Sequence, residues 1–377
     1  MKHAWKGYKA YAWGHDHLQP ISRSHNDWLH LGLTLIDALD TLWMMDLKDE
    51  FEEAKEWVEK ELNFDRFRDV NLFETTIRVL GSLLSSYHAS KEKVFLDKAI
   101  DLADRLLGAF SSQSGVPFSD VNLATGQPSK PKWGPDSSTS EVTTIQLEFR
   151  DLSKVTGNPK YAEKVNYVMD HIHKLKKLDG LVPIFINAQT GQFRQHSTIT
   201  LGARGDSYYE YLLKQWIQMG KTEKNLMDDY LEAVSGMEFH LAKRSHPSKL
   251  LFFAELHGAS KSVVNKMDEL TCFMPGTLAL GVHNGMPGHH MDIAKELLNT
   301  CALTWLKQPT KLAPEITYFN VAEGNEEDFF VKNNDAHYLL RPETIESLWY
   351  LYHFTGNTTY QDWGWEMFQV SVIINSF

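Results

Sequence analysis

The sequence lacks several features that would assign it to a common functional class. It has no run of about 18 or more apolar residues, so it predicts no membrane-spanning helix, and its first residues carry no apolar signal-peptide core. Basic residues are scarce too: 38 Lys and Arg stand against 49 Asp and Glu, and the formal net charge is −11. Because phosphate binding needs clustered Lys and Arg, we expect no nucleic-acid partner, whereas a neutral or cationic ligand fits this charge.

The motifs of several familiar sites are also missing. No phosphate-binding Gly-Lys-Ser loop, Gly-x-Ser-x-Gly elbow, EF-hand loop or His-Glu-x-x-His pair occurs. His289 and His290 are adjacent, and no histidine shows the spacing of a zinc site, so we predict none. Calcium bound by scattered oxygens stays open, since such sites need no contiguous motif. The only cysteines, Cys272 and Cys301, are compatible with two thiols or with one disulfide.

What the sequence does contain is a large apolar and aromatic fraction. Hydrophobic residues make up 42% and aromatic residues 12% of the 377 positions, with 11 Trp, which excludes a disordered chain. The tryptophans suit either an aromatic-lined cleft or a core. No linker rich in Pro, Gly or Ser divides the chain, so we predict one large domain, residues 1–369, and a short unrelated tail, residues 370–377.

Helical periodicity predicts an all-α fold in which buried helices alternate with half-exposed ones. A Thr-Gly-Asn-x-x-Tyr motif follows two of them, at Thr156 and Thr355, and indicates a repeat of helical hairpins. Long irregular loops separate the pairs, which favours a closed double ring of helices over a solenoid of fixed period. The predicted helices are a first one at 3–13 and the pairs 28–45 and 48–62, 72–87 and 93–110, 141–155 and 160–175, 207–219 and 225–241, 272–283 and 291–306, and 342–354 and 360–369.

Acidic residues recur where a loop meets a buried helix, and several have an arginine nearby. They are Glu74 with Arg78, Glu141, Asp206 with Arg204, Asp268, Glu315, and Glu343 with Arg341 and Glu346. One interpretation is acid–base chemistry on a polyhydroxylated substrate, in which one carboxyl protonates a leaving oxygen and another activates water. The other is structural, because acids in a first helical turn complement the helix dipole and can pair with arginines that fix loops.

Six runs of the sequence resemble class I α-1,2-mannosidases, glycoside hydrolase family 47. They are YAWGHD at residues 11–16, GLTLIDALDT at 32–41, NLFE at 71–74, PFSDVN at 117–122, GARGDSYYE at 202–210 and RPET at 341–344. The resemblance extends from about residue 3 to about residue 369. It implies an (αα)7 barrel and an inverting, calcium-using glycosidase that trims terminal α-1,2-mannose from high-mannose N-glycans of glycoproteins.

The resemblance also implies roles for individual residues. Glu74 corresponds to a proton donor, Asp206 and Glu343 to acids proposed to activate water, and Glu315 to a further site acid. Sugar-contacting positions correspond to Arg78, Ser119, Glu141, Arg204, Asp268, Arg341 and Glu346. Cys272 and Cys301 match a family disulfide, which implies the lumen of the endoplasmic reticulum or Golgi, where full-length members are membrane-anchored. A role in glycoprotein quality control and degradation follows, and we expect a monomer.

The sequence departs from the family at three places. Glu269 stands where a histidine is expected after Asp268, and Gly205 replaces an alanine. After residue 369 the resemblance ends, so the last inner helix and the calcium-binding threonine are not found, and no metal ligand is identifiable in this chain. We therefore expect weak or no turnover. A non-catalytic glycan-binding relative that directs misfolded glycoproteins to degradation remains an alternative, and a helical scaffold without a sugar site is a third.

Overall fold

The computed structural model describes the backbone of residues 1–132 and 134–374 and the side chains of residues 1–132 and 134–370. Two compact units make up the chain. The first comprises Met1–Leu175 and Ile186–Gln192, and the second comprises Lys176–Phe185 and Phe193–Phe377. None of the helices within the described ranges is long and apolar enough to cross a lipid bilayer.

Unit 1 is built from helices, with short strands in the loops between them. Its α-helices are Lys2–Tyr11, Leu33–Asp37, Leu39–Met44, Lys48–Lys60, Leu72–Glu74, Gly81–Ser90, Lys93–Leu106, Thr139–Thr143, Gln146–Thr156 and Lys160–Lys174. A π-helical segment, Thr75–Leu80, and a 3-10 turn, Leu107–Phe110, extend two of them. The strands are His17–Gln19 paired with Ser24–Asn26, a three-stranded antiparallel sheet of Asp69–Asn71, Asp120–Asn122 and Pro128–Ser129, and Ser137–Ser138.

Unit 2 has the same character. Its α-helices are Asp206–Gln218, Lys224–Gly236, Met274–His283, His290–Leu306, Glu343–Thr355 and Thr359–Ile374, with a π-helical segment Met237–Leu241 and 3-10 turns Glu269–Phe273 and Asn333–Asp335. Antiparallel strands pair Ala242–Arg244 with Leu251–Phe253 and Glu255–His257 with Ser262–Val264, and a third sheet contains Lys266–Asp268, Ile316–Phe319 and Phe329–Phe330. A two-residue strand, Phe185–Ile186, lies where the chain passes from one unit to the other.

The predicted hairpin pairs are confirmed within each unit. Helix Gln146–Thr156 packs on Lys160–Lys174 in unit 1, and Glu343–Thr355 packs on Thr359–Ile374 in unit 2. Both hairpins turn through the Thr-Gly-Asn motif in the same way. Gly157 and Gly356 each end a helix at φ 70°, a left-handed conformation that glycine adopts without strain. The following Asn side chain accepts the N–H two residues on, at 3.2 Å in the first copy and 3.1 Å in the second.

One predicted helix is wrong: residues 28–45 do not form a continuous helix. The carboxylate of Asp16, which is fully buried, accepts backbone N–H groups from Trp28, His30, Leu31 and Leu33. These bonds give the buried N–H groups their partners and arrange residues 28–33 as a loop around Asp16. Helical structure begins only at Leu33, and it is interrupted at Ala38.

At the C-terminus, helix Thr359–Ile374 continues five residues beyond its predicted end at Gln369. The predicted tail, residues 370–377, therefore begins inside this helix, and its last residues, 375–377, lie outside the described residues.

The disulfide implied by the family resemblance is present. Cys272 and Cys301 are bonded with their Cα atoms 5.9 Å apart, and both are buried. The bond joins the 3-10 turn Glu269–Phe273 to helix His290–Leu306 inside unit 2.

Candidate active site

In unit 1, Glu74 is held at the start of a long helical segment by its neighbours. The side chain of Asn71 caps the segment by accepting the N–H of Glu74 at 2.8 Å. One turn later, Arg78 donates from Nε to Glu74 Oε2 at 2.7 Å and lies 3.5 Å from Asp37 Oδ2. The turn between Glu74 and Gly81 is π-helical, a distortion that is frequent at functional sites.

Glu74 and Glu141 line a cavity of about 440 Å³ in unit 1, which falls in the size range of small-ligand sites. Asn71 also lines it and donates from Nδ2 to Glu141 Oε2 at 3.2 Å and to Asp120 Oδ1 at 3.4 Å. The Asn71 amide therefore contacts three acidic residues: the carboxyl groups of Glu141 and Asp120 and the backbone N–H of Glu74. The full lining is Trp28, Leu29, Arg68, Asp69, Asn71, Glu74, Asp120, Pro131, Lys132 and Glu141.

Sequence reasoning did not assign Asn71 and Asp120 to the site, although both lie in runs that carried the family resemblance. Strand pairing places them directly opposite each other, since Asn71 is in register with Asp120. Burial raises the pKa of Asp120 to about 6, while the hydrogen bond from Asn71 opposes that rise. Ser119, expected to contact sugar, is 3% exposed and is not among the residues that line the cavity.

In unit 2, Asp206 is the first residue of helix Asp206–Gln218, and its Oδ1 accepts the N–H of Ser207 at 2.8 Å. Arg204 precedes it in a left-handed conformation, φ 72°, with its guanidinium 5.7 Å from the centre of the Phe185 ring. Gly205 lies in close contact with the chain: a Cβ there would be 2.4 Å from the carbonyl oxygen of Thr200. The alanine expected from the family would therefore require the backbone of this turn to shift.

Asp268 is buried beside a lysine that it shares with a second acid. Lys266 Nζ lies 2.9 Å from Asp268 Oδ1 and 3.0 Å from Glu255 Oε1. Burial raises the pKa of Asp268, and the positive charge of Lys266 limits that rise. Gly202 allows this packing, because a Cβ at that position would be 2.3 Å from Asp268 Oδ2.

Two further ion pairs hold predicted site residues of unit 2. Arg341 forms a bidentate pair with Glu315, with Nη2–Oε1 and Nε–Oε2 distances of 2.6 and 3.0 Å. Glu346 lies 3.7 Å from Lys214 Nζ, which also pairs with Glu210. Burial raises the pKa of Glu346, and Lys214 limits that rise. Arg341 thus connects the residue before strand Ile316–Phe319 to the residues that precede helix Glu343–Thr355.

Glu343 is the first residue of helix Glu343–Thr355, and its carboxyl group lies beside that of Glu269. Glu269, the residue that departs from the family's histidine, is 5% exposed. Its burial, together with the adjacent Glu343, raises its pKa well above the usual value for glutamate. The structure therefore adds Glu269 to the set of residues around Glu343.

The family model of glycosyl hydrolase family 47 matches residues 1–372. The chain belongs to this family. The human endoplasmic reticulum mannosyl-oligosaccharide 1,2-alpha-mannosidase is 56% identical over 370 residues, which is 97% of this chain and 52% of that protein. The mannosyl-oligosaccharide 1,2-alpha-mannosidase of Candida albicans is 42% identical over 385 aligned positions, covering 97% of this chain and 68% of that protein. The chain thus spans about half the length of its mammalian relatives.

Among solved structures, the alpha-1,2-mannosidase from Trichoderma reesei superposes with a TM-score of 0.89 at 27% identity, covering 98% of this chain and 82% of that one. The cellobiose 2-epimerase from Spirochaeta thermophila matches at a TM-score of 0.62 with 11% identity, which shows a shared fold and no more. The mainly helical fold is therefore that of the (αα)7-barrel family, as the sequence resemblance implied.

The family implies calcium, which takes six to eight oxygen ligands. Among the described residues, only Glu238, His289 and His290 form a group of three acidic or histidine side chains with ligand atoms within 4.8 Å of one another. That group does not suit a hard cation: two ligands are imidazoles, and His289 Nε2 already pairs with Glu238 Oε1 at 3.3 Å. It also lies at the start of helix His290–Leu306, whose dipole disfavours a cation. This group of side chains is therefore not a calcium site.

Within each unit, the structure brings several of the predicted residues together. In unit 1, Glu74, Arg78 and Glu141 are connected around one cavity through Asn71 and direct contact. In unit 2, Glu315 pairs with Arg341, and Asp268 adjoins Glu269, the partner of Glu343. Convergence of Glu74 with Asp206 and Glu343, at the roughly 6.5–9.5 Å acid–base separation of an inverting enzyme, stays a prediction.

Proposed function

We propose that this chain carries the active-site residues of an inverting α-1,2-mannosidase that removes terminal α-1,2-linked mannose from high-mannose N-glycans. The observation that carries the proposal is the acidic cavity of unit 1, in which Asn71 bonds the carboxyl groups of Asp120 and Glu141 and caps the backbone of Glu74, beside Trp28. Carboxylates and an indole ring offer hydrogen bonds and an apolar face to a sugar. Membership of family 47 supports the linkage and the substrate class.

The proposed reaction uses two carboxyl groups with different tasks. Glu74 gives a proton to the glycosidic oxygen as the bond from that oxygen to C1 of the terminal mannose breaks. A water oxygen forms a bond to C1 on the opposite face and loses a proton to the general base. Glu343 and Asp206 are the candidates for that base. The products are mannose of inverted anomeric configuration and a glycan one residue shorter.

Arginine pairs support this division of tasks by fixing the residues around the carboxyl groups. Arg78 holds the Glu74 side chain against the helix one turn on, and the bidentate Glu315–Arg341 pair fixes the approach to Glu343. Calcium, when bound, would supply a positive charge that orients sugar hydroxyls and water. The steps assigned here to Glu74, Glu343 and Asp206 do not depend on where the ion is held.

For the cellular role, we propose the lumen of the endoplasmic reticulum or Golgi and a function in glycoprotein quality control and degradation. The disulfide Cys272–Cys301 supports an oxidising compartment, because disulfides persist there and are rare in the cytosol. Glycoproteins that carry high-mannose N-glycans are the corresponding partners.

The test is incubation of the purified protein with a high-mannose N-glycan, with and without calcium, followed by mass spectrometry. The expected result is slow loss of one or more mannose residues, in keeping with the weak turnover that the sequence predicts. E74Q and E343Q should each lower kcat by roughly 100- to 10,000-fold, as loss of a general acid or base does. E238Q, at an exposed acid of unit 2 outside these contacts, is the matched control and should keep the parent rate.

The same experiment separates the alternatives. Glycan binding without any loss of mannose would support the non-catalytic lectin, and absence of both would support the helical scaffold. Equal rates for E74Q, E343Q and E238Q would refute the residue assignments even if mannose were released.

A further inference from the structure

Glu269 has one carboxyl oxygen fully provided with donors. Its Oε1 accepts from Thr344 Oγ1 at 2.7 Å, from the Thr344 N–H at 3.3 Å and from Trp305 Nε1 at 3.3 Å. Thr344 and Trp305 are themselves fully buried. The carboxyl group of Glu269 is therefore fixed in position by two elements of unit 2, helix Glu343–Thr355 and helix His290–Leu306.

The other oxygen of Glu269 has no such donor. The Oε2 atoms of Glu269 and Glu343 are both buried, and within the described residues neither has an N–H or O–H donor. Glu343 directly precedes Thr344, whose N–H and Oγ1 both bond Glu269, so the two carboxyl groups lie beside each other and the charge of Glu343 acts on Glu269. Two ionised carboxylates in that position would repel, and each would leave a buried acceptor unsatisfied, whereas one proton between them satisfies both oxygens.

We propose that Glu269 keeps a proton and donates it in a hydrogen bond to Glu343, so that Glu269 is a positioning residue for the Glu343 carboxylate. The role of Glu343 in activating water rests on the proposed function, but the shared proton does not. The donated bond fixes one oxygen of Glu343 and leaves the other oxygen to take a proton from water.

The surrounding charges agree with this placement of the proton. The charged groups that face Glu269 are Glu343 and Arg341, and the charge of Arg341 is divided with Glu315 through their bidentate pair. Helix His290–Leu306 contributes only the uncharged Trp305 indole. Burial and the negative charge of Glu343 raise the pKa of Glu269, and the donors from Thr344 only partly offset that rise.

The proposal also accounts for the exchange of a histidine for Glu269. A neutral histidine can donate an N–H to a neighbouring carboxylate, and an ionised glutamate cannot donate at all. A protonated glutamate, in contrast, has an O–H that can donate a hydrogen bond. The exchange therefore leaves a group that can donate a hydrogen bond next to Glu343.

The first test is infrared spectroscopy in D2O at pH 8, where Asp120, with a pKa of about 6, is ionised. The parent protein should show the carbonyl band of a protonated carboxylic acid. E269Q should lose that band, and the matched control E238Q should keep it. A parent spectrum without the band, or an E269Q spectrum that retains it, would overturn the proposal whether or not the protein releases mannose.

The second test is kinetic. E269L, which cannot donate, should lower kcat by about 100-fold, as displacement of a reacting group by about 1 Å does, with a smaller change in KM. E269Q should recover most of this loss, because its amide N–H donates to Glu343 and its amide oxygen accepts from Thr344. The fall in kcat at alkaline pH that reflects ionisation of Glu269 should disappear in E269Q. Equal kcat for E269L and E269Q would contradict the positioning role.

Discussion

Removal of the Cys272–Cys301 disulfide should destabilise the protein by about 3.6 kcal/mol. The two cysteines are separated by 29 positions, and closing such a loop lowers the entropy of the unfolded chain by about 12 cal/mol/K, which gives that free energy at 25 °C. The entropy of unfolding is about 2.1 cal/mol/K per residue, or about 0.8 kcal/mol/K for 377 residues that unfold in one step. The melting temperature should therefore fall by about 4–5 °C.

The assay is urea unfolding of the parent protein with and without a reductant. The reduced protein keeps both sulfur atoms, so the comparison isolates the cross-link from any loss of packing at these two buried residues. C272A/C301A is the control, and its unfolding midpoint should not respond to reductant. The reasoning fails if the parent, with two free thiols verified by labelling, unfolds at the midpoint of the oxidised protein.

Three further predictions concern the residues that position the acids. N71A removes the helix cap and should lose about 0.5–2 kcal/mol of stability in denaturation assays. N71S can restore the cap but not the bonds to Glu141 and Asp120, so it should be as stable as the parent and have a low kcat in glycan assays. Burial of Asp120 contributes stability that is fully present below its usual pKa of 3.8 and is lost as pH rises from there through about 6. The stability of D120N relative to the parent should therefore increase from pH 4 to pH 8 in urea titrations, and a constant difference would be inconsistent with a raised pKa. R341K keeps the charge but not the bidentate geometry with Glu315 and should lower kcat about 100-fold, whereas R244K, at a half-exposed arginine on strand Ala242–Arg244, should not.

The helical hairpins could be predicted from sequence because the information is local. Apolar spacing defines the buried face of each helix. The repeated Thr-Gly-Asn motif specifies its own turn through a glycine in the left-handed conformation and an asparagine that accepts the first N–H of the next helix. Each of these interactions joins residues within a few positions. The hairpins therefore follow from the sequence without knowledge of the rest of the fold.

The incorrect prediction of a continuous helix at residues 28–45 shows the limit of prediction from local sequence. The segment is rich in leucine and has helical periodicity, but Asp16, more than ten positions upstream, binds four of its backbone N–H groups. The hydrogen bonds of several N–H groups to a buried carboxylate stabilise the loop by more than the helix propensity of its leucines would stabilise a helix. The periodicity of the segment contains no information about the position of Asp16.

The contacts of the candidate site could likewise be predicted only where they join residues close in sequence. Glu74 and Arg78 are one turn apart, so their contact follows from helical spacing. The contact of Glu269 with Glu343 and Thr344 joins residues about 75 positions apart and depends on how helix Glu343–Thr355 packs on the turn that contains Glu269. The resemblance to family 47 identified Glu269 only as a departure, because the effect of a substitution depends on which residue the new side chain contacts in the fold. Since that partner is a second carboxyl group in a buried place, the exchange is consistent with retained function only if one of the two acids carries a proton, which is the reason that E269Q and E269L should differ.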